Sequence, residues 1–283
     1  MSKQYDPEIL RRLQLCETEM LKDFAELCER NGITYFGTAG TGIGALRHGG
    51  FIPWDDDIDI GVLYKDYGRL VELYEKEFPD KYTVVNAEKY PDYPLMNTHI
   101  VLNGSRFIEA GSKELKFPQG IFLDIFPFFR SPADKTLSSK RAKKAWYYGK
   151  LMILRHVPFP WLSYKGVKAK LTHCVTATLS CFVRILWSHQ RLYRKIMKLS
   201  TMYEGEDSGI NEWFFDTAVG GSIYTDEELY PMRKIKFEDT EICFPNKLEE
   251  HLEKLYGDYM QIPPPEKRKN HCPVLLEFPD DNK

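Results

Sequence analysis

Four carboxylates fall within five positions of one another: Asp55, Asp56, Asp57 and Asp59. Asp57 and Asp59 stand two apart at the head of an apolar run, 58–63, that reads as a β-strand. Side chains two apart on a strand share a face and lie roughly 7 Å apart. Carboxylates so placed repel, and a hard divalent cation bridging them offsets that repulsion. Asp124 is the lone acid in a second apolar run, 120–129. A buried carboxylate needs a partner. If the two runs are adjacent strands, Asp57, Asp59 and Asp124 make a three-carboxylate metal site suited to phosphoryl chemistry. The expected ion is Mg²⁺, with Mn²⁺ as its substitute.

Two plainer readings compete. Asp55, Asp57 and Asp59 also match the first, third and fifth ligand positions of an EF-hand loop. Ile60 then stands where glycine is required and Asp66 where glutamate is required, so the match fails. Alternatively the aspartates only cap turns and pair with arginines, which suits Asp55 and Asp56 after Pro53-Trp54.

Just upstream lies Gly37-Thr-Ala-Gly-Thr-Gly-Ile-Gly44. Its glycines allow close backbone approach, and a helix start offers free N–H groups to phosphate oxygens. It is neither a Walker A sequence nor a dinucleotide fingerprint. Arg47 and His48 follow as cationic donors for a phosphate, or as members of a surface ion pair.

The elements that must position these residues follow from periodicity. Leu13, Cys16, Met20, Phe24 and Leu27 recur at helical spacing, which predicts a helix over 8–30 ended by Asn31-Gly32. Strands are expected at 33–36, 58–63, 82–85 and 99–102, with short helices at 41–47 and 65–78. Asn103-Gly104 predicts a tight hairpin turn into 105–110. The strand 120–129 is expected to close at Pro127. Beyond Pro132 the composition turns to basic helices as far as about Tyr203. Short strands and a helix at 246–256 follow. The order implies an α+β core (1–130), a basic helical subdomain (131–203) and a mixed return (204–283) that completes the core.

From 131 to 200 fifteen Lys and Arg face a single acid, Asp134, in a chain of net charge -2. A block this basic suits an anionic surface, or is a solvated face balanced by acids elsewhere. Aromatics are interleaved with the charges: Trp146, Tyr147, Tyr148, Phe159, Trp161, Tyr164, Phe182 and Trp187. This suits a membrane headgroup layer, and no nucleic-acid recognition motif is present. Leu171–Trp187 is interrupted by His173 and Arg184 and reads as a soluble or interfacial helix. The first residues lack an apolar signal core, and the six cysteines form no CxxC pair. A cytoplasmic protein with no structural zinc, peripheral at the inner membrane face, is the expectation.

The run Gly40–Val62, GTGIGALRHGGFIPWDDDIDIGV, resembles the signature of the LicD family, departing visibly only at Gly42-Ile43. "GIFLDIFPF" and "YGDYMQIPPPEKRKNH" resemble later family blocks. The basic insertion matches none. The resemblance implies a nucleotidyltransferase-like mixed sheet and transfer of phosphocholine from CDP-choline, or another CDP-alcohol, to a cell-surface glycan or its lipid-linked precursor. Lipopolysaccharide, teichoic acid and capsule are such acceptors. Fukutin-related ribitol-phosphate transferases belong to the same superfamily. On this resemblance Gly40 and Thr41 match the phosphate-binding turn, Asp57 and Asp59 the metal pair, and Asp124 the third carboxylate. Asp124 is the candidate to position and deprotonate the acceptor hydroxyl. Lys267, Arg268 and His271 would close over the phosphates, unless they form a solvated tail. A choline head group would need an aromatic cage.

Alternatives remain open at this point. A nucleotidyltransferase of the same fold would release pyrophosphate instead of CMP. A non-catalytic module for anionic glycans or lipid would gain nothing from three clustered negative charges. A metal-independent hydrolase would need a GxSxG, HExxH or Cys–His pattern that the sequence lacks.

Overall fold

The computed structural model describes residues 5–281, apart from 161, 163, 218, 219 and 221. The first helix, α1 (Pro7–Asn31), starts at Asp6, whose carboxylate accepts from the Glu8 N–H. It stops at Gly32, which adopts the left-handed φ of 62° that glycine tolerates. Its buried stripe of Leu13, Met20, Leu21, Phe24 and Leu27 packs on a mixed sheet.

That sheet has seven strands. β1 (Tyr35–Gly37), β2 (Asp59–Leu63), β3 (Tyr82–Val85), β4 (Thr98–Leu102) and β6 (Phe122–Arg130) run in the order β1-β2-β6-β4-β3. β2 and β6 are parallel and the other pairs antiparallel. Helices α2 (Ala39–His48) and α3 (Tyr64–Glu77) flank β2 in sequence. The mixed α/β architecture agrees with the α+β expectation.

Two expectations need correction. β6 runs through Pro127 to Arg130. β4 pairs with β6 only as far as Ile125, and β7 (Ile210–Trp213) joins it only at Phe129 and Arg130. Pro127 lies in the gap between these two neighbours, where its missing N–H leaves no antiparallel rung unmade. The turn at Asn103-Gly104 is present, with Gly104 at φ 79°. However, β5 (Arg106–Ile108) does not pair back on β4, because β3 and β6 already occupy both edges of that strand. β5 pairs instead with the late strand β11 (Leu275–Glu277).

The basic segment forms α4 (Lys135–His156), α5 (Val167–Leu186) and α6 (His189–Ser200) between β6 and β7. Its only acid, Asp134, caps α4 by accepting from the Thr136 and Leu137 N–H groups. Ala142 and Ala145 of α4 pack on Phe129, Trp213 and Phe214. Beneath them Arg141 and Glu212 form a buried pair, 3.7 Å apart, with Ser131 donating to Glu212 and accepting from Arg141. The chain then returns through β8 (Ser222–Thr225) on β7, α7 (Asp226–Leu229), the hairpin β9 (Arg233–Phe237) and β10 (Thr240–Phe244), and α8 (Leu248–Tyr256).

The helical insertion is tied to the sheet layer by a histidine pair. His189 Nε2–H donates to the Ala87 carbonyl at 2.6 Å, so its Nδ1 accepts from His156 Nε2–H at 3.2 Å. Burial, the second imidazole and Arg155 push His156 down to about 4. An unfolded histidine protonates near pH 6.5. Between pH 6.5 and 4 the unfolded chain therefore binds the extra proton, and stability falls as the pH falls. We expect His156 to contribute an acid-limb loss of roughly 1–3 kcal/mol. Urea unfolding of wild type and His156→Gln across that range should show a shallower limb in the variant.

Candidate active site

β2 and β6 bring the acids together by register. Asp59 is the Cα partner of Asp124 in the parallel ladder, and the Asp124 N–H donates to the Ile58 carbonyl at 3.0 Å. One carboxyl oxygen from each of Asp57, Asp59 and Asp124 lies within 4.8 Å of the others. Three hard oxygen donors at this separation suit Mg²⁺ or Mn²⁺ and do not suit zinc, which favours nitrogen and sulfur.

The electrostatics record the crowding. Burial, then Asp57, Asp124 and Asp55, raise Asp59 well above the usual carboxylate range. Burial pushes Asp57 up to about 6, with His271 opposing and Asp56 and Asp124 adding to the rise. Asp55 is also raised, by burial and then by Asp57 and Asp56. It belongs to this cluster and does not simply cap a turn. The positive charges of His271 and then Arg47 oppose this rise without overcoming it.

Asp56 departs furthest from expectation. It is fully buried and pairs with no arginine. The Tyr5 hydroxyl donates to it at 2.6 Å, and the His271 and Cys272 N–H groups donate at 2.9–3.0 Å. His271 Nδ1 lies 3.3 Å from Asp56 and 3.6 Å from Asp57. Burial opposes Asp56's charge, but these donors outweigh it and hold the carboxyl below its usual range. Burial likewise opposes charge on His271, and Asp56 and Asp57 outweigh it, raising the imidazole well above its usual value. Asp56, Asp57 and His271 thus form a second group that shares Asp57 with the first.

Gly40 and Thr41 sit in the first turn of α2. A Cβ on Gly40 would lie 2.9 Å from Asp55 Oδ2 and 3.6 Å from Asp59 Oδ2, so only glycine lets the turn approach the acids. Thr41 Oγ1 is turned inward and accepts from the Asp59 N–H at 2.8 Å. The helix start has no side-chain cap at Thr38, which leaves its first N–H groups to a ligand.

The remaining sequence candidates lie further out. Arg47 and His48 are at the far end of α2, roughly 10 Å along its axis from Gly40. Arg47 donates to the Tyr259 and Gln261 carbonyls and to His48 Nε2, and His48 is exposed. Arg268 stacks 4.3 Å over Trp54, and Arg47 lies 5.9 Å over the same ring. Lys267 is exposed in a short turn, Pro265–Lys267. Only His271 of this C-terminal trio reaches the carboxylates.

Sequence reasoning missed four contributors. Asn97 Nδ2 and His99 Nε2 both address Asp124 Oδ1, the histidine at 3.1 Å, and Tyr93 OH donates to Asn97 at 3.1 Å. His99 is itself stacked on Phe122, with centroids 4.0 Å apart. The polar run Asn97-Thr98-His99 before Ile100-Val101 was the available signal. The fourth is Glu17, in the apolar stripe of α1, buried with Oε2 unpartnered among the described residues. Burial, then Asp57, Asp56 and Asp55, raise its pKa well above the usual range.

Along the same face of β6, two residues past Asp124, Phe126 opens a 240 Å³ cleft whose walls include Asn97, Trp146, Trp213 and Phe215. The Trp213 ring stands edge-on to Phe126 at 5.3 Å and to Phe215 at 4.9 Å. Trp146 Nε1–H donates to the Asp216 carbonyl at 2.9 Å, and Ser222 donates to the Asp216 carboxylate at 2.6 Å. Lys150 lies 5.1 Å over the Trp146 ring. Because Asn97 contacts Asp124 and lines the cleft, the two are contiguous.

The carboxylate cluster predicts a stability signature. Asp59→Asn should raise the melting temperature of the metal-free protein by relieving repulsion. Mg²⁺ should shift the wild-type melt upward, and Asp59→Asn should abolish that shift. Thermal melts with and without Mg²⁺ check both.

The family model described as LicD/FKTN/FKRP, nucleotidyltransferase domain, matches residues 32–170. The lipopolysaccharide cholinephosphotransferase LicD of Haemophilus influenzae is 30% identical over 267 residues, covering 93% of this chain and 95% of that protein. The uncharacterized protein RP689 of Rickettsia prowazekii is 39% identical over 72 residues, 25% of this chain and 27% of its own length. The human ribitol 5-phosphate transferase FKRP is 42% identical over 45 residues, 16% of this chain and 9% of its own.

Proposed function

The chain belongs to the LicD family, and from that membership and the geometry of its acids we propose that it transfers phosphocholine, or a related phospho-alcohol, from a CDP-activated donor to a hydroxyl of a cell-surface glycan or its precursor, releasing CMP. The observation that carries this reading is the convergence of Asp57, Asp59 and Asp124 beside the uncapped start of α2. The similarity to a lipopolysaccharide cholinephosphotransferase over nearly the whole chain supports the choice of substrate class.

Asp57, Asp59 and Asp124 would hold the divalent ion. Bound there, Mg²⁺ would neutralise charge developing on the phosphoryl oxygens. The free N–H groups at Gly40 and Thr41 orient donor phosphate oxygens. The acceptor hydroxyl attacks the phosphorus that bears the choline. The new P–O bond forms as the bond to the CMP oxygen breaks. Asp124, fixed by Asn97 and His99, takes the hydroxyl proton. Arg268 on Trp54 and the neighbouring Lys267 supply cations to the rim.

The trimethylammonium fits the cleft beyond Asp124. Phe126, Trp213 and Phe215 offer rings and Asp216 a carboxylate, while Lys150 shares the cleft from its place over Trp146.

Incubating the protein with a panel of CDP-alcohols and Mg²⁺ should release CMP and not pyrophosphate. Asp57→Asn should lower that turnover by at least ~10²-fold while the circular dichroism stays native. Wild-type turnover in this variant would end the metal assignment, and pyrophosphate as product would identify a nucleotidyltransferase.

A second measurement addresses the cleft. Trp213→Leu should raise KM for the choline donor about tenfold. A donor carrying the uncharged 3,3-dimethylbutyl isostere should be affected far less. An equal loss for both donors would mean that the cleft does not read the positive charge.

A further inference from the structure

The helix α5 is apolar on the side that the fold leaves open. Its buried contacts, Ser180 and Val183, face α4. Val167, Leu171, Val175, Leu179, Phe182, Ile185 and Leu186 are all exposed, Val167 at 84% and Ile185 at 75%. At 3.6 residues per turn these positions fall within an arc of about 120°, beside the side that Ser180 and Val183 bury, and Lys168 and Thr178 share that arc. Scattered single apolar residues on a surface need no explanation, whereas a continuous stripe of seven marks an interaction face. Phe159, just before the helix, extends it and is exposed to 61%.

The surroundings identify the occupant. Lys165, Lys168 and Lys170 are exposed at the start of α5, and Arg184 lies in its last turn. The apolar stripe therefore sits within the most basic part of the chain, whose only acid is engaged as the α4 cap. An apolar stripe rimmed by lysine and arginine is the pattern of a helix lying in the plane of an anionic bilayer. Among the described residues no single helix is long and apolar enough to cross a membrane. The apolar residues of the following helix, Leu192 and Ile196, are buried within the protein.

We propose that α5 is a membrane-docking helix. Its Val167–Leu186 stripe enters the headgroup–acyl boundary of an anionic leaflet, while Lys165, Lys168 and Lys170 contact lipid phosphates; Arg184 instead donates to the Arg155 carbonyl of α4. This refines the aromatic content expected from the sequence. Phe159 and Phe182 face outward. Trp146 lines the cleft, Tyr148 packs on Trp187 at 5.7 Å, and Trp161 lies outside the described residues. The inference stands independently of the reaction assigned above.

The test is flotation of the full chain with phosphatidylcholine vesicles, with and without phosphatidylglycerol. The wild type should float with the anionic vesicles and bind them progressively less as salt rises. Leu171→Asp/Phe182→Asp/Ile185→Asp should lose at least tenfold in partitioning and remain folded, because all three residues are exposed. Lys165→Glu/Lys168→Glu/Lys170→Glu should lose roughly fivefold per residue on anionic vesicles alone. A single Phe182→Trp reporter should be quenched by brominated lipid chains. Flotation of the triple aspartate variant at the wild-type level, or of wild type with neither vesicle, would overturn the proposal. So would a wild-type dimer that the aspartates convert to monomer without any vesicle binding, since the face would then belong to a second copy.

Discussion

Repulsion between buried carboxylates is the constraint to which the rest of the molecule answers. Asp55, Asp57, Asp59 and Asp124 are gathered at one end of two parallel strands, with Glu17 close enough to share their field. Such a cluster is destabilising unless it is protonated, hydrogen-bonded or bound to a cation. The fold supplies only part of that compensation. Asn97 and His99 address Asp124, and His271 offers a positive charge to Asp57. Asp59 gains a backbone anchor at Thr41, which fixes its position without neutralising its carboxylate. The remaining deficit is what a divalent ion, as proposed above, would offset.

Asp56 meets the same constraint in another way. It is the most buried of the four consecutive-region acids, yet donors from both ends of the chain keep it ionised. Its carboxylate is structural: it pins Tyr5 on one side and His271-Cys272 on the other, and so holds the segment after α8 against the acids. The pairing of β5 with β11 fastens the same segment a few residues later. Neighbouring residues of one chemical type thus divide the work, with Asp57 and Asp59 open to a ligand and Asp56 closed to it.

Much of this was legible in the sequence, for identifiable reasons. The meeting of Asp57, Asp59 and Asp124 was legible as a condition, that the runs 58–63 and 120–129 be adjacent strands, and the register of β2 on β6 meets it. Asp57 itself stands just before β2, outside the strand alternation expected to set its face. The helix α1 and its stop at Gly32 were equally plain. What could not be read depends on contacts distant along the chain. Asp56 looks like its neighbours until residues 51 and 215 positions away are brought to it. The hairpin expected at Asn103-Gly104 was a sound local inference that failed because both edges of β4 were taken by strands not adjacent to it in order. Trp146 read as a membrane-facing aromatic because its segment is basic, but helical periodicity turns that one ring inward, onto Asp216. Arg47 and His48 read as phosphate donors by proximity in sequence; in the fold they stand at the far end of α2, where Arg47 holds the Tyr259 and Gln261 carbonyls and still feels the charge of Asp55.

The meeting of Tyr5, Asp56 and His271 on one carboxylate also orders events in time. A chain emerging from the ribosome makes its N-terminal elements first. α1, the Gly40 turn and the four aspartates are all available before the helical insertion has been synthesised. Throughout that interval Asp56 lacks the two N–H groups of His271 and Cys272, and Asp57 lacks the imidazole beside it. The acids can therefore reach their final arrangement only after residues 271–277 have left the exit tunnel and β11 has joined β5. A chain that stalls before residue 271 therefore carries the acids without their clasp.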